Sequence, residues 1–379
     1  MQLNINCMIQ IANIGPITYG LLRKCLARPP SQHLSILLLL LLGCGASLAL
    51  VLGWDFTSEI QGSQRSTGLF ISVFFLSLVD CTSSVMFLPY MGVFKQTYLN
   101  SYLIGEGMSG FLPSLVALGQ GVSGKPDCVN GTQADVAMQA RFSTSTFFVF
   151  MSVMMFLSLT AFLLLHYLPL TRTERTSSSP TSSTTFNNIL QEPTEEAEEG
   201  EERLSLSSEQ RGDIWPLLVV QCLVCCLSNG ALPSIQSYSC LPYGNTVYHF
   251  AVTLNAMANP MMAFLAFFLP CSRRSVVYSL TVAGCGLSGF ILATALLSPN
   301  MLASQAVGGA AVVLTWLLTG AIFSYVKVCV AGICRTNGHL FSCGVVTQVG
   351  SAIGALVMFI LVNQVDITIY HTLLTQTYV

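Results

Sequence analysis

LSILLLLLLGCGASLALVLG, residues 34–53, is a run of twenty residues without a charge. Coiled as an α-helix it rises about 30 Å, the thickness of a bilayer's hydrocarbon core. Ser35 and Ser47 are its only hydroxyl-bearing positions, so no face is polar enough to meet water. The stretch reads as a membrane-spanning helix.

Nine further apolar runs surround it, at about 8–22, 68–91, 98–120, 144–168, 214–234, 246–269, 275–298, 307–333 and 340–362. Most are near spanning length, which predicts an all-α, polytopic membrane helix bundle of about ten transmembrane helices. Composition agrees: 53% of residues are hydrophobic and 8% charged, against about a quarter charged in soluble domains. No basic stretch with interleaved aromatics suggests nucleic acid. Most of the fourteen cysteines, such as Cys44, Cys222, Cys225 and Cys285, lie inside apolar runs, where a thiol acts as a small hydrophobe. The first run, MIQIANIGPITYGLL, begins near residue 8 without the features of a cleaved leader and is expected to direct insertion itself.

The longest polar stretch, Thr171 to Gly212, combines TSSSPTSSTT with EEAEEGEER, and ten of the seventeen acidic residues fall between Glu174 and Asp213. Such a composition buries too little surface to offset its ordering entropy. The expected organisation is therefore an N-terminal bundle of five spans over 1–168, a disordered acidic and Ser-rich loop over 169–213, a C-terminal bundle of five spans over 214–363, and a tail over 364–379.

Lys and Arg decide the orientation. Eleven lie in one alternate set of connections, among them Arg23, Lys24, Lys95, Arg172, Arg273 and Arg335, against Arg65, Lys125 and Arg141 in the other. This puts the long acidic loop in the cytosol. Asn130-Gly131-Thr132 is a glycosylation sequon in the 121–143 loop, on the face that the charges assign to the exterior. Cys128 and Cys240 fall on the same outer face, where an oxidising environment permits a disulfide between them.

A weak internal repeat is visible. Asn13 precedes Pro16 in one span and Asn259 precedes Pro260 in another; Gly-rich helices follow, GEGMSGFLPSLVAL from Gly105 and QVGSAIGALVMF from Gln348. The offsets, 93 from Asn13 to Glu106 and 89 from Asn259 to Gln348, are nearly equal, and the helix before each Gly-rich one carries a tyrosine, Tyr90 and Tyr325. Two readings stand side by side: parallel-repeat halves of a carrier, in the manner of major-facilitator and equilibrative-nucleoside-transporter folds, or a chance match among residues common in membrane helices.

Ionisable groups within spans are costly, about 2.5–3.5 kcal/mol at the bilayer centre on insertion scales. Five are present: Asp80, Glu106, His166, His249 and Lys327. The histidines lie near helix ends, where a polar tip reaches the interface. Asp80 precedes Cys81-Thr82-Ser83-Ser84, whose hydroxyls can solvate it. Glu106, between Gly105 and Gly107, reads either as a substrate-binding or proton-accepting carboxylate or as the structural partner of Lys327. Around the end of one helix, LSNGALPSIQSYSCLPYGNTVYH offers Asn229, Gln236, Tyr238 and Tyr243 beside Pro233, a set able to donate to and accept from an uncharged ligand. There is no metal-ligand spacing, GxSxG or phosphate loop; an enzyme is not expected and no cofactor or metal is implied.

The stretches VDCTSSVMFLPY (79–90), YLIGEGMSGFLPSLVALGQG (102–121), LSNGALPSIQSYSCLPYG (227–244), VYHFAVTLNAMANP (247–260), FSYVKV (323–328) and TQVGSAIGALVMF (347–359) resemble the eukaryotic riboflavin transporters, solute carrier family 52. That resemblance implies an eleven-helix carrier and sodium-independent uptake of riboflavin, vitamin B2, across the plasma membrane by alternating access, with the long loop in the cytosol. The partners implied are riboflavin and the lipid bilayer. Glu106, Asn229, Gln236, Tyr238 and Tyr325 are the expected substrate contacts, because a flat uncharged heterocycle with a ribityl chain needs aromatic faces and amide or carboxylate partners. Members of that family open with a further helix bearing a Trp, an Asn-Gly and a Glu-Leu-Pro segment, which these residues lack, so the expected alternatives are a truncated non-transporting form or a carrier of another uncharged polar solute such as a nucleoside.

Overall fold

The computed structural model of the protein describes residues 11–25, 31–60, 63–120, 141–172, 214–298 and 304–377. Asn130, Cys128 and most of the 169–213 segment lie outside the described residues. Within the described residues each of the ten apolar runs holds helix: α1 (Ile14–Cys25), α2 (Gln32–Gly53), α3 (Thr67–Met91), α4 (Gln96–Gln120), α5 (Thr144–Tyr167), α6 (Trp215–Cys225), α7 (Leu232–Cys240), α8 (Asn245–Phe268), α9 (Arg274–Leu296), α10 (Gln305–Thr336) and α11 (Leu340–Thr377). α6 and α7 form one continuous rod through a π-helical turn at Cys226–Ala231, and a 3₁₀ turn at Leu241–Tyr243 ends it. The one non-helical pairing among the described residues is a short ribbon between α2 and α3, Ser58–Ile60 (β1) against Ser63–Arg65 (β2), antiparallel with Ser58 opposite Arg65.

With the α6–α7 rod counted once, eight of the described helices are long and apolar enough to cross a membrane. α4 has the length, 25 residues, but Glu106 and four glycines lower its apolarity. α1 has 12 described residues, which rise about 18 Å, less than a full crossing. The outer surface carries the large apolar side chains, among them Leu52 (76% exposed), Val282 (72%) and Leu157 (63%). A protein in water would bury these; in hydrocarbon they face lipid, while backbone groups are satisfied inside each helix.

The packing repeats along the chain. α2 lies against α3 and α1 touches α3; in the second half α9 lies against α10 and α8 against α10. Two helices cross between the halves. α4 packs mainly on α8, and α11 packs on both α3 and the α6–π-turn rod. The halves are therefore joined through α4 and α11 as well as through sequence.

Glycine permits the closest of these crossings. A Cβ on Gly107 of α4 would lie 2.6 Å from the Pro260 nitrogen of α8, and one on Gly230 would lie 2.6 Å from the Ala355 nitrogen of α11. On α11, Gly350 and Gly354 in turn face the carbonyl oxygens of Cys222 and Cys226. Small residues at a membrane-helix interface let backbones approach in this way.

The π-turn has a local cause. Pro233 lacks an N–H and its ring opposes the carbonyl four residues earlier, that of Asn229, so the regular ladder cannot continue through it. A π-turn absorbs the mismatch. Ser234 Oγ donates to the Gly230 carbonyl at 3.1 Å.

Candidate functional site

A cavity of about 420 Å³ opens at mid-bundle between the two sets of helices. Its wall draws Asn13 from just before α1, Asp80 and Ser84 from α3, and Glu106 from α4. From the second half come Gln221 of α6, Asn229 of the π-turn, Asn259 of α8, Ser324 and Lys327 of α10, and Thr347, Gln348 and Ser351 of α11. Polar groups cluster here inside a bundle whose exterior is apolar, the inverse of a soluble protein. The two members of each repeat pair, Asn13 with Asn259 and Glu106 with Gln348, all reach this one cavity.

Hydrogen bonds fix several of the wall groups. Asn229 Nδ2 donates to Ser351 Oγ at 3.2 Å and its Oδ1 accepts from Ser228 Oγ at 3.0 Å. Gln221 Nε2 donates to Thr347 Oγ1 at 2.9 Å. The Thr347 hydroxyl gives its own proton to the Cys343 carbonyl at 2.9 Å, so it must accept from Gln221, which settles the amide's orientation. Gln221 Oε1 has no partner among the described residues. Ser324 Oγ lies within hydrogen-bond reach of Asn259 Oδ1 and the Gly320 carbonyl and gives its one proton to either, a contact that ties α10 to α8.

Asp80 and Glu106 are exposed to the cavity and Lys327 is half-buried in its wall. The three share one cavity wall, and among the described residues no salt bridge closes between them. The hydroxyls after Asp80 do not solvate its carboxylate as their sequence suggested. Thr82 Oγ1 donates to the Leu78 carbonyl and Ser83 Oγ to the Asp80 backbone carbonyl, at 2.6 and 2.7 Å. The segment around Glu106 is helical rather than unwound, and Ser109 Oγ donates to the Glu106 carbonyl at 2.7 Å.

Of the expected substrate contacts, Glu106 and Asn229 face the cavity, whereas Gln236, Tyr238 and Tyr325 do not line it. Tyr238 is 40% exposed on α7. Tyr325 donates to the Leu269 carbonyl at 2.8 Å, fastening α10 to the end of α8. The later part of the 227–244 stretch is a packed outer core: Trp316 Nε1 donates to Ser239 Oγ at 3.3 Å, Ser239 bonds Thr294 at 2.7 Å, and Gln305 donates to the Tyr243 carbonyl at 3.2 Å. Cys240 sits at the end of α7, fully buried with a free thiol, rather than in an outer loop. The sequence reading missed Gln221, Ser324, Thr347 and Ser351 as wall residues. Gln221 is an isolated polar side chain in an apolar run, and that isolation was the available signal for it. His166 meets Tyr90 OH through Nδ1 at 3.1 Å near the helix ends, away from the cavity.

A polytopic helical bundle that surrounds a polar chamber with two sets of helices has the construction of a membrane carrier. Known proteins give the family. Residues 4–369 match the model of solute carrier family 52, riboflavin transporter. Member 3-A of that family from Danio rerio is 38% identical, over 97% of this chain and 87% of its own length. Riboflavin transporter 2 of Salmo salar is 37% identical, over 95% and 87%, and member 3 from Homo sapiens is 34% identical over the same shares. The chain belongs to solute carrier family 52.

Proposed function

We propose that this protein carries riboflavin across a membrane, holding it in the mid-bundle cavity between the two sets of helices. The cavity is the observation that carries the reading. Its volume of about 420 Å³ lies within the roughly 300–1,000 Å³ of small-ligand sites, and its polar wall is built from amides, hydroxyls and carboxylates in a chain whose relatives are named riboflavin transporters. Riboflavin is an uncharged tricycle with a hydroxylated side chain, so it is met by hydrogen bonds rather than by a permanent counter-ion. Asn229, Glu106 and Gln348 supply acceptors and donors from three different helical elements.

Movement follows from the joints. The cavity is shared by both halves, and alternate rocking of two helical sets about such a site exposes it to either face in turn. Sodium-independent uptake at the plasma membrane, with the acidic loop in the cytosol, completes the reading. It is supported by the eleven Lys and Arg residues on one set of connections. The sequon at Asn130 supports it from the other side.

Labelled riboflavin uptake in cells expressing the chain tests this. Saturable uptake is expected, competed by unlabelled riboflavin but not by nucleosides and unchanged when choline replaces sodium. Uptake equal to that of vector-only cells, with the protein present at the surface, overturns it.

A further inference from the structure

Three charged side chains line the cavity, Asp80, Glu106 and Lys327; the remaining polar wall is amide and hydroxyl. Two acids therefore face one base. Glu106 and Lys327 line the same space, so the ammonium has a carboxylate to answer it, and Asp80 adds a second acidic side chain to that wall. Among the described residues no arginine lines the chamber, and arginine is the side chain whose planar fork grips phosphate. The wall residues on α3, α4, α8 and α10 lie well inside their helices, whereas Asn13 stands just before α1 and Cys343 lies in the first turn of α11.

We propose that Asp80 and Glu106 are specificity-determining residues that make the cavity accept uncharged flavins and reject phosphorylated ones. The inference rests on the riboflavin reading above and deepens it. Riboflavin and its 5′-phosphate differ by one group at the end of the ribityl chain, and that group carries close to two negative charges at neutral pH. Shape separates them poorly, because the chain is flexible and the phosphate is small. Charge separates them well, since like charges repel strongly where the surroundings are helices and lipid rather than bulk water. Lys327 alone would attract the phosphate; the two carboxylates reverse the sign of the field that it meets.

The test is displacement of labelled riboflavin from the full chain in nanodiscs by three competitors: riboflavin, riboflavin 5′-phosphate, and lumiflavin, a neutral flavin without the ribityl chain. The readout is the ratio of the half-displacing concentrations of phosphate ester and riboflavin. In the unmodified protein the ratio is expected to exceed about ten. Asp80→Asn with Glu106→Gln, leaving Lys327, is expected to lower it about tenfold or more, and Lys327→Met to raise it. The lumiflavin ratio is expected to stay within about twofold in Asp80→Asn and in Lys327→Met, because lumiflavin carries no charge for the field to act on. Riboflavin binding retained with an unchanged phosphate ratio in the double variant overturns charge selection and leaves the carrier reading standing. A lumiflavin ratio that moves in parallel in Asp80→Asn or Lys327→Met also overturns it, since the change would then be one of shape. If the double variant binds no riboflavin, Asp80→Asn alone decides: a fall of about threefold supports the proposal and no fall overturns it. Absence of riboflavin binding to the unmodified protein removes both readings together.

Discussion

α4 and α11 are the two Gly-rich helices of the repeat, and they are used differently. In α11, Gly350 and Gly354 lie against the Cys222 and Cys226 carbonyls, and Gly230 on the π-turn returns the contact to the α11 backbone. In α4, Gly107 alone meets a neighbour's backbone, while Gly105, Gly110 and Gly119 have nothing within 4 Å of where a Cβ would stand. Leu99 is the one buried residue of α4 among the described residues. The same composition thus makes a closed seam on one helix and an open face on the other. A glycine pattern signals that a close approach is permitted, and only the neighbour decides whether it occurs.

The sharpest way to break the comparison is to fill the seam. Gly354→Val places a branched side chain against the Cys226 carbonyl, a backbone atom that cannot swing aside as a flexible side chain does. Overpacking typically costs about 1–3 kcal/mol, and a backbone obstacle puts this site at the upper end. The expected outcome is a lower melting temperature in detergent and loss of surface expression. Melting within one degree of the unmodified protein would show that the seam is not what holds α11 to α6.

The architecture was largely legible because its signals are collective. Each span is declared by some twenty residues, so the ten apolar runs predicted ten helices and each run holds helix within the described residues. The site depends on single side chains, and there the sequence was half legible. Asp80, Glu106 and Lys327 stood out because charge is rare in hydrocarbon, and all three line the cavity. Gln236, Tyr238 and Tyr325 were expected there for their chemistry, but which face of a helix they occupy depends on how the rod turns. The π-turn over Cys226–Ala231 changes that turn just before Gln236 and Tyr238. Asn229, inside the π-turn, keeps its place over the cavity. Ser324, Thr347 and Ser351 were hidden because each also reaches the carbonyl four residues earlier, which makes it look like an ordinary hydroxyl in a membrane helix.

A smaller effect is expected where the seam meets the cavity. Asn229 and Ser351 are joined at 3.2 Å across the π-turn and α11, so the seam sets the position of a substrate-facing amide. Asn229→Ala is expected to raise the KM for riboflavin about fivefold, the worth of one hydrogen bond of about 1 kcal/mol. Ser351→Ala, which frees the amide without removing it, is expected to raise KM about twofold. The double variant should resemble Asn229→Ala alone, because Ser351 acts through Asn229; a product of the two single effects would show that they are independent.

The smallest effect belongs to the open face. Gly105→Ala adds a methyl where no described atom lies within 4 Å and outside the cavity wall, so the new group meets no obstacle in this state. Alanine also loses less conformational freedom than glycine in a helix, a difference of roughly 0.5–1 kcal/mol in its favour. Equal or slightly higher thermal stability is therefore expected, with uptake unchanged while α4 keeps this face open throughout the cycle. A fall in maximal rate at unchanged KM and unchanged melting would show instead that another state closes α4 against a neighbour. In that case the two Gly-rich helices would be alike after all, one sealed at rest and the other only during transport.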